Sequence, residues 1–218
     1  LQLAAANPWA PFGGLEEVVE GRMERRRIEV EAFQGETESA AVSIVNWDAK
    51  SRSTRVEIDD FKLSGEEEKT ARRAETFITL HEVIDVPTQT LDTSADALPV
   101  MNQGRVLTLP GWEARQLWLT IDTSTLSPGL WKSTVHFKSL DVASVAYDIP
   151  IRIEVFETAQ ANTNVLRHCN WGYVHGSRLK HHEPETIADR VAHGNNVFVS
   201  TFLPKATYDE AGALVGEI

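Results

Sequence analysis

Three runs in the middle of the chain repeat with a period of two, and that alternation confines them to half-buried β-strands. In Arg115 to Asp122, Leu117, Leu119 and Ile121 share one face, while Gln116, Thr120 and Asp122 point away with Trp118. In Trp131 to Lys138, Trp131, Ser133, Val135 and Phe137 alternate with Lys132, Thr134, His136 and Lys138. In Tyr147 to Val155, Tyr147, Ile149, Ile151, Ile153 and Val155 oppose Pro150, Arg152 and Glu154. Ser127-Pro128-Gly129 joins the first two as a turn, Pro presetting φ and Gly accepting a positive φ. Each strand has one face turned inward and one turned to water.

Earlier runs fit the same plan: Ile28 to Phe33, Ser39 to Trp47, Arg55 to Phe61 and Thr76 to Val86, each bounded by Gly, Asp, Asn or Ser clusters. Seven or more strands imply two packed sheets, so the fold class expected is mainly β, an immunoglobulin-like two-sheet β-sandwich. Glu66 to Glu75 has helix propensity but too little apolar content to bury a face, and reads as a solvated loop.

Past about residue 158 the pattern changes. A polar, small-residue stretch leads into a strand from Asn164 to about Trp171, then a loop rich in Gly, His and Lys, then a helix from Pro184 to His193. Pro184 suits the first turn, Glu185 and Asp189 suit the positive end of the helix dipole, and Gly194 suits a left-handed C-cap. Asn196 to Phe202 is nearly all apolar or small, as in a strand covered on both sides. Strand, helix and strand make one βαβ unit, which needs a parallel sheet or barrel around it. A TIM-type barrel takes about 250 residues and a doubly wound domain well over about 100, and 58 remain from Ala161 to Ile218, so whichever of the two it is, the second domain is expected to be incomplete in this chain. The division expected is an N-terminal extension over 1–24, a β-sandwich accessory domain over 25–158, a linker over 159–163, and the start of a truncated α/β (TIM-type) barrel over 164–218.

Charge and cysteine content exclude several functions. Lys and Arg total 21 against 32 Asp and Glu, a net charge of -11 that repels a phosphate backbone, so no nucleic-acid partner is expected. No run approaches the roughly 20 apolar residues of a membrane span. Cys169 is the one cysteine and reads as a small buried hydrophobe rather than a nucleophile. Leu1 to Ala6 reads either as the trimmed tail of a secretion signal or as the edge of a gene fragment. The first of these gives an extracellular or periplasmic location.

Four segments carry a resemblance: Gly35-Glu36-Thr37-Glu38-Ser39 before a strand, Arg115 to Ile121, Ser127 to Val135, and Cys169-Asn170-Trp171. Their order resembles large bacterial glycoside-hydrolase-like proteins with an N-terminal β-sandwich and a TIM-type barrel, similar in layout to glycoside hydrolase family 123. The resemblance implies an accessory sandwich and chemistry on barrel loops outside this chain. It further implies a fragment inactive on its own, with carbohydrate, including N-acetylated amino sugars, and the missing remainder of its own barrel as partners. Such enzymes use an adjacent Asp-Glu pair for substrate-assisted hydrolysis. Asp209-Glu210 is adjacent, but Tyr208-Asp209-Glu210-Ala211-Gly212 reads as a reverse turn, so no catalytic residue is assigned.

Five of the seven histidines, His168, His175, His181, His182 and His193, lie in the last segment, but their spacing does not suit a zinc site, and neither metal nor cofactor is expected. His193 reads as a cation favoured at a helix C-terminus. The substrate-binding candidates are Asn170, Trp171 and Tyr173, at the strand end where barrel active sites form, offering an indole face and an amide to a sugar. Trp47, Trp112, Trp118 and Trp131 read as core or interface anchors. The competing reading of the whole chain is a non-enzymatic carbohydrate- or protein-binding β-sandwich module.

Overall fold

Apolar alternation drives these segments into sheets that share one core, as the computed structural model shows. The structure describes residues 1–10, 12–19, 26–65, 71–90, 92–142, 145–159, 167–169, 179, 181–198, 207, 209–211, 213 and 215. In chain order its strands are β1 (Gln2–Ala6), β2 (Ile28–Gln34), β3 (Thr37–Asn46), β4 (Arg52–Ile58), β5 (Lys62–Leu63), β6 (Ile78–Glu82), β7 (Ile84–Pro87), β8 (Thr93–Ala97), β9 (Val106–Leu109), β10 (Glu113–Asp122), β11 (Gly129–Ser139) and β12 (Ala146–Ala159). Among the described residues two α-helices accompany them, α1 (Gly14–Val19) and α2 (Glu183–Ala192). The chain forms two compact units, Leu1–Gln160 and Ala161–Ile218.

In the first unit, one sheet has the order β1-β3-β10-β6 and the other β2-β12-β11-β4-β9, with β5 also on β11. Their inner faces meet in a single core. Leu117, Leu119 and Ile121 of β10 and Val42 and Ile44 of β3 are fully buried against Val135, Phe137, Ile149, Ile151 and Ile153 of β11 and β12. Cross-strand register places Trp131 opposite Ile153 and Val135 opposite Ile149, so large side chains stack on the inner face. Trp131 is buried and its indole N–H donates to the Ser127 carbonyl at 2.9 Å, which anchors the Pro-Gly turn ahead of β11. Gly129 in that turn has φ +131°, a conformation open to glycine.

Three elements depart from the expectations. Gln2 to Ala6, placed in an N-terminal extension, instead forms an edge strand antiparallel to β3, with Ala4 buried opposite Ser43. Its alanines lack the β-branched signature of a strand, so their pairing with β3 is set by the neighbouring strand and not by propensity. The run from Thr76 to Val86 is two strands. β6 follows β10 as far as Glu82, the Val83 N–H still reaches the Gln116 carbonyl at 3.0 Å, and β7 then leaves to pair with β8 in a separate hairpin. In the Glu66 to Glu75 stretch, residues 66–70 lie outside the described ones, Arg72 bridges Phe61, and Ala74 to Thr76 form a short 3-10 turn.

In the second unit α2 starts at Glu183, so Asp189, expected near the positive end of the helix dipole, lies beyond the first turn. Glu183 and Glu185 lie in its first turn with Pro184, and Gly194 takes φ +82° beyond its end. The His193 ring Nδ1 donates to the Asp189 carbonyl at 2.7 Å. A parallel bridge joins Cys169, before the helix, to Val197, after it. The Asn196 side chain strengthens that pairing by accepting from the His168 N–H at 2.7 Å. Among the described residues no helix is long and apolar enough to cross a membrane.

Candidate functional site

The substrate-binding candidates Asn170, Trp171 and Tyr173 lie outside the described residues, so the described chemistry around them stops at Cys169, which is half-buried. Asp209 is described, and its carboxylate accepts from the N–H groups of Ala211 at 3.0 Å and Ala213 at 2.8 Å. A carboxylate spent on its own turn matches the reverse-turn reading of Asp209-Glu210.

Within the first unit, one organised surface feature is at the sandwich end where β3 passes to β4 and β9 passes to β10. Both connections cross between the sheets there, because β3 pairs with β10 and β4 pairs with β9. Each connection carries a tryptophan directly beside a strand, Trp47 after β3 and Trp112 before β10. Of the two settings expected for these anchors, core or interface, the core is excluded: Trp47 is 39% exposed and Trp112 is 55% exposed. Their rings meet edge to face, centroids 6.4 Å apart at 71°. The Trp47 indole N–H donates to the Gln2 side-chain oxygen at 2.8 Å, so β1 also fixes this ring.

One buried side chain ties the two loops together. Asn46 is 1% exposed, and its amide nitrogen lies 2.8 Å from the Lys50 carbonyl, 3.1 Å from that of Leu109 and 3.0 Å from that of Pro110. Its oxygen accepts from the Asp48 N–H at 3.1 Å, so both ends of the amide are assigned by their partners. Asp48 stiffens the same loop by binding the Lys50 N–H and the Arg52 guanidinium, which together hold its carboxyl below the ordinary carboxylate range. Gly111 completes the contact, since a Cβ there would lie 2.5 Å from the Ala49 carbonyl carbon and 2.9 Å from the Asp48 oxygen. Trp112 follows at φ +58°, a left-handed conformation rare for a bulky residue, with its N–H bound to the Asp48 carbonyl at 3.1 Å. The loop packing holds an exposed indole in a backbone state it would not choose.

Trp112 forms one wall of a cleft of about 500 Å³ that also includes Asp85, Thr93, Ser94, Glu113 and Arg115. Glu113 and Arg115 are ion-paired at 3.0 Å. Phe12 and Leu15 pack beneath, against Val45 and Ala114. An indole wall with carboxylate, guanidinium and hydroxyl groups around it suits a small polar molecule that has one apolar face.

A second polar cluster lies on the outer face of the other sheet. The His136 ring is bracketed by Asp148 at 2.7 Å on Nδ1 and Asp59 at 3.0 Å on Nε2. Partial burial of the ring opposes its charge, yet the two carboxylates outweigh that effect and hold the imidazole pKa above its ordinary value. The carboxylates sit on opposite edges of the ring and do not converge on a point. Among the described residues no group of three or more His, Cys, Asp and Glu is arranged to hold a metal ion.

No protein-family model and no curated protein matches the sequence. Solved structures do match. A family 123 glycoside hydrolase from Clostridium perfringens, described in connection with glycolipid glycan hydrolysis, aligns with a TM-score of 0.64 at 11% identity, over 79% of this chain and 30% of that one. At that identity the likeness is one of fold, and this chain spans under a third of the enzyme's length. PapD-like domain 7 of human CEP192 aligns with a TM-score of 0.34 at 8% identity, over 62% of this chain and 84% of that one. The periplasmic chaperone SfaE aligns with a TM-score of 0.34 at 13% identity, over 62% and 56%.

Proposed function

We propose that this chain is the immunoglobulin-like accessory sandwich and the first βαβ unit of the TIM-type barrel of a secreted bacterial glycoside hydrolase acting on carbohydrate, N-acetylated amino sugars included. The observation that carries the reading is the fold likeness over 79% of this chain to a family 123 glycoside hydrolase of which it matches 30%. The parallel bridge between Cys169 and Val197 on either side of α2 supports the barrel part of the reading. Catalytic carboxylates then belong to strand ends beyond Ile218, while Asn170, Trp171 and Tyr173 touch the sugar at the barrel mouth.

The test is hydrolysis of aryl N-acetyl-amino-sugars by the protein extended along its reading frame past Ile218, beside the 218-residue chain. Turnover is expected from the extended protein alone. In that protein Trp171→Ala lowers kcat/KM about tenfold, the loss of one stacked aromatic contact. An extended protein without activity on any glycoside, or Glu210-dependent turnover by the 218-residue chain, overturns the reading.

A further inference from the structure

We propose that the sandwich has a carbohydrate-binding site of its own, in the cleft beside Trp112, with that indole as the stacking platform for a neutral pyranose ring. The proposal stands on the geometry of this cleft and does not require a barrel or an active site.

Three observations lead to it. The first is backbone strain. Trp112 is held at φ +58° with more than half its surface exposed, in a loop end that Asn46, Gly111 and the Asp48 carbonyl fix from the other side. A glycine would take the same backbone without strain, so the indole is kept there against a backbone cost while more than half of it faces water. The second is ring orientation. Trp47 meets Trp112 edge to face and is itself tethered to Gln2, so the platform has a buttress. The third is the chemistry of the cleft. Asp85, Glu113, Arg115, Thr93 and Ser94 provide acceptors and donors around the apolar wall, the combination that a sugar, with hydroxyls at its rim and C–H bonds on its face, can satisfy.

The same features decide against other occupants. Among the described residues the two indoles are bordered by Gln2, Asp48, Glu113 and Arg115, a polar rim close to the platform, whereas a protein interface has a broad apolar centre. Two carboxylates in the cleft and the net charge of -11 disfavour an anionic sugar. Trp112 is thus the contact residue and Trp47 a positioning residue.

The test uses the 218-residue chain, tryptophan fluorescence and calorimetry, and two probes, the tetramers of β-1,4-linked N-acetylglucosamine and of β-1,4-linked glucose. Saturable binding of at least one tetramer is expected, at a Kd of about 1 mM or tighter, with a change in indole emission. Trp112→Gly, which relieves the backbone, keeps the melting transition and lowers affinity at least about tenfold. Trp47→Phe preserves an edge contact and retains most of the affinity, whereas Trp47→Ala loses part of it. Trp9→Ala is the control, since Trp9 is 75% exposed but meets Trp118 edge to face instead. The proposal fails if neither tetramer binds saturably, if Trp112→Gly folds and binds like the parent, or if Trp9→Ala is as damaging. It also fails if sedimentation shows a dimer abolished by Trp112→Gly while both sugars leave the emission unchanged, because the indole then serves a protein contact.

Discussion

Replacing Asn46 with Asp changes no heavy-atom shape yet reverses the polarity of the group that joins the two tryptophan loops. In the parent protein two amide hydrogens face three carbonyl oxygens, those of Lys50, Leu109 and Pro110, in a place 1% exposed. A carboxylate there loses those hydrogen bonds, about 1 kcal/mol each, and turns its charge toward three partial negative charges. Ionisation is resisted, so the folded pKa of the new acid rises above its unfolded value of about 4. Each unit of that rise costs about 1.4 kcal/mol once the pH exceeds the folded pKa. With a rise of about two units, the variant is less stable than the parent by roughly 4 kcal/mol at pH 7. Below pH 4 the acid is protonated in both states and donates one hydrogen bond back, leaving a deficit of about 1 kcal/mol. The deficit therefore grows as pH rises from about 4 and levels off above the folded pKa. Urea denaturation of parent and variant at pH 4 and pH 7, compared at each pH, measures it. A variant within about 0.5 kcal/mol of the parent at pH 7, or a deficit independent of pH, refutes the role given to Asn46.

The other predictions concern separate parts of the molecule. Gly111→Ala forces a Cβ against the backbone of Ala49 and Asp48, and lowers stability by about 1 to 3 kcal/mol in urea denaturation while blunting the fluorescence signal of Trp112. For His136, whose folded pKa is raised by Asp59 and Asp148, the stabilisation is fully present below its unfolded pKa and is lost as pH rises through the folded one. Asp148→Asn should therefore lower the His136 pKa in an NMR titration and destabilise the protein in acid more than in alkali. The chain ended at Gln160 keeps the whole two-sheet core and should melt cooperatively, as differential scanning calorimetry would register.

The sandwich was legible where the side chains were strongly apolar. Leu117, Leu119 and Ile121, and Ile149, Ile151 and Ile153, occupy the core face that their alternation assigned to them. Alternation failed for Gln116, expected to meet water but 4% exposed beside the Ser43 hydroxyl, since period two marks faces and not what covers the far one. At the end of that outer face, Phe12 and Leu15 lie against Val45 and Ala114, a contact between distant segments that no local pattern announces. The hairpin of β7 and β8 was missed for a related reason, because a single run of β-prone residues does not mark the point at which its partner changes. The aromatic cleft was hidden more deeply. Trp47 and Trp112 sit on different loops and meet because Asn46 lies opposite Glu113 in the register of β3 and β10. The sequence left core and interface open for the four tryptophans, and of them Trp131 is the one fully buried. What could have marked the others is their setting, Asn46-Trp47-Asp48 and Pro110-Gly111-Trp112, turn chemistry directly flanking an indole. The barrel-mouth candidates Asn170, Trp171 and Tyr173 keep the basis they had, a resemblance and a place at the end of an expected strand.

β2 lies parallel to β12, with Ile28 opposite Ile151 and Val30 opposite Ile153, while the hairpin of β11 and β12 is local. As a ribosome delivers the chain, β2 emerges early and has no partner in its own sheet until β12 has been made. At about 5 to 20 residues per second, that wait is on the order of ten seconds. Throughout it, Ile28, Val30 and Ala32, which are buried in the finished fold, form an open strand edge with an apolar face. The flanking glutamates Glu29 and Glu31 alternate with them and repel other copies of the same segment. Closure of this sheet thus waits for β12, and a ribosome stalled before β12 would expose its nascent chain to association at β2.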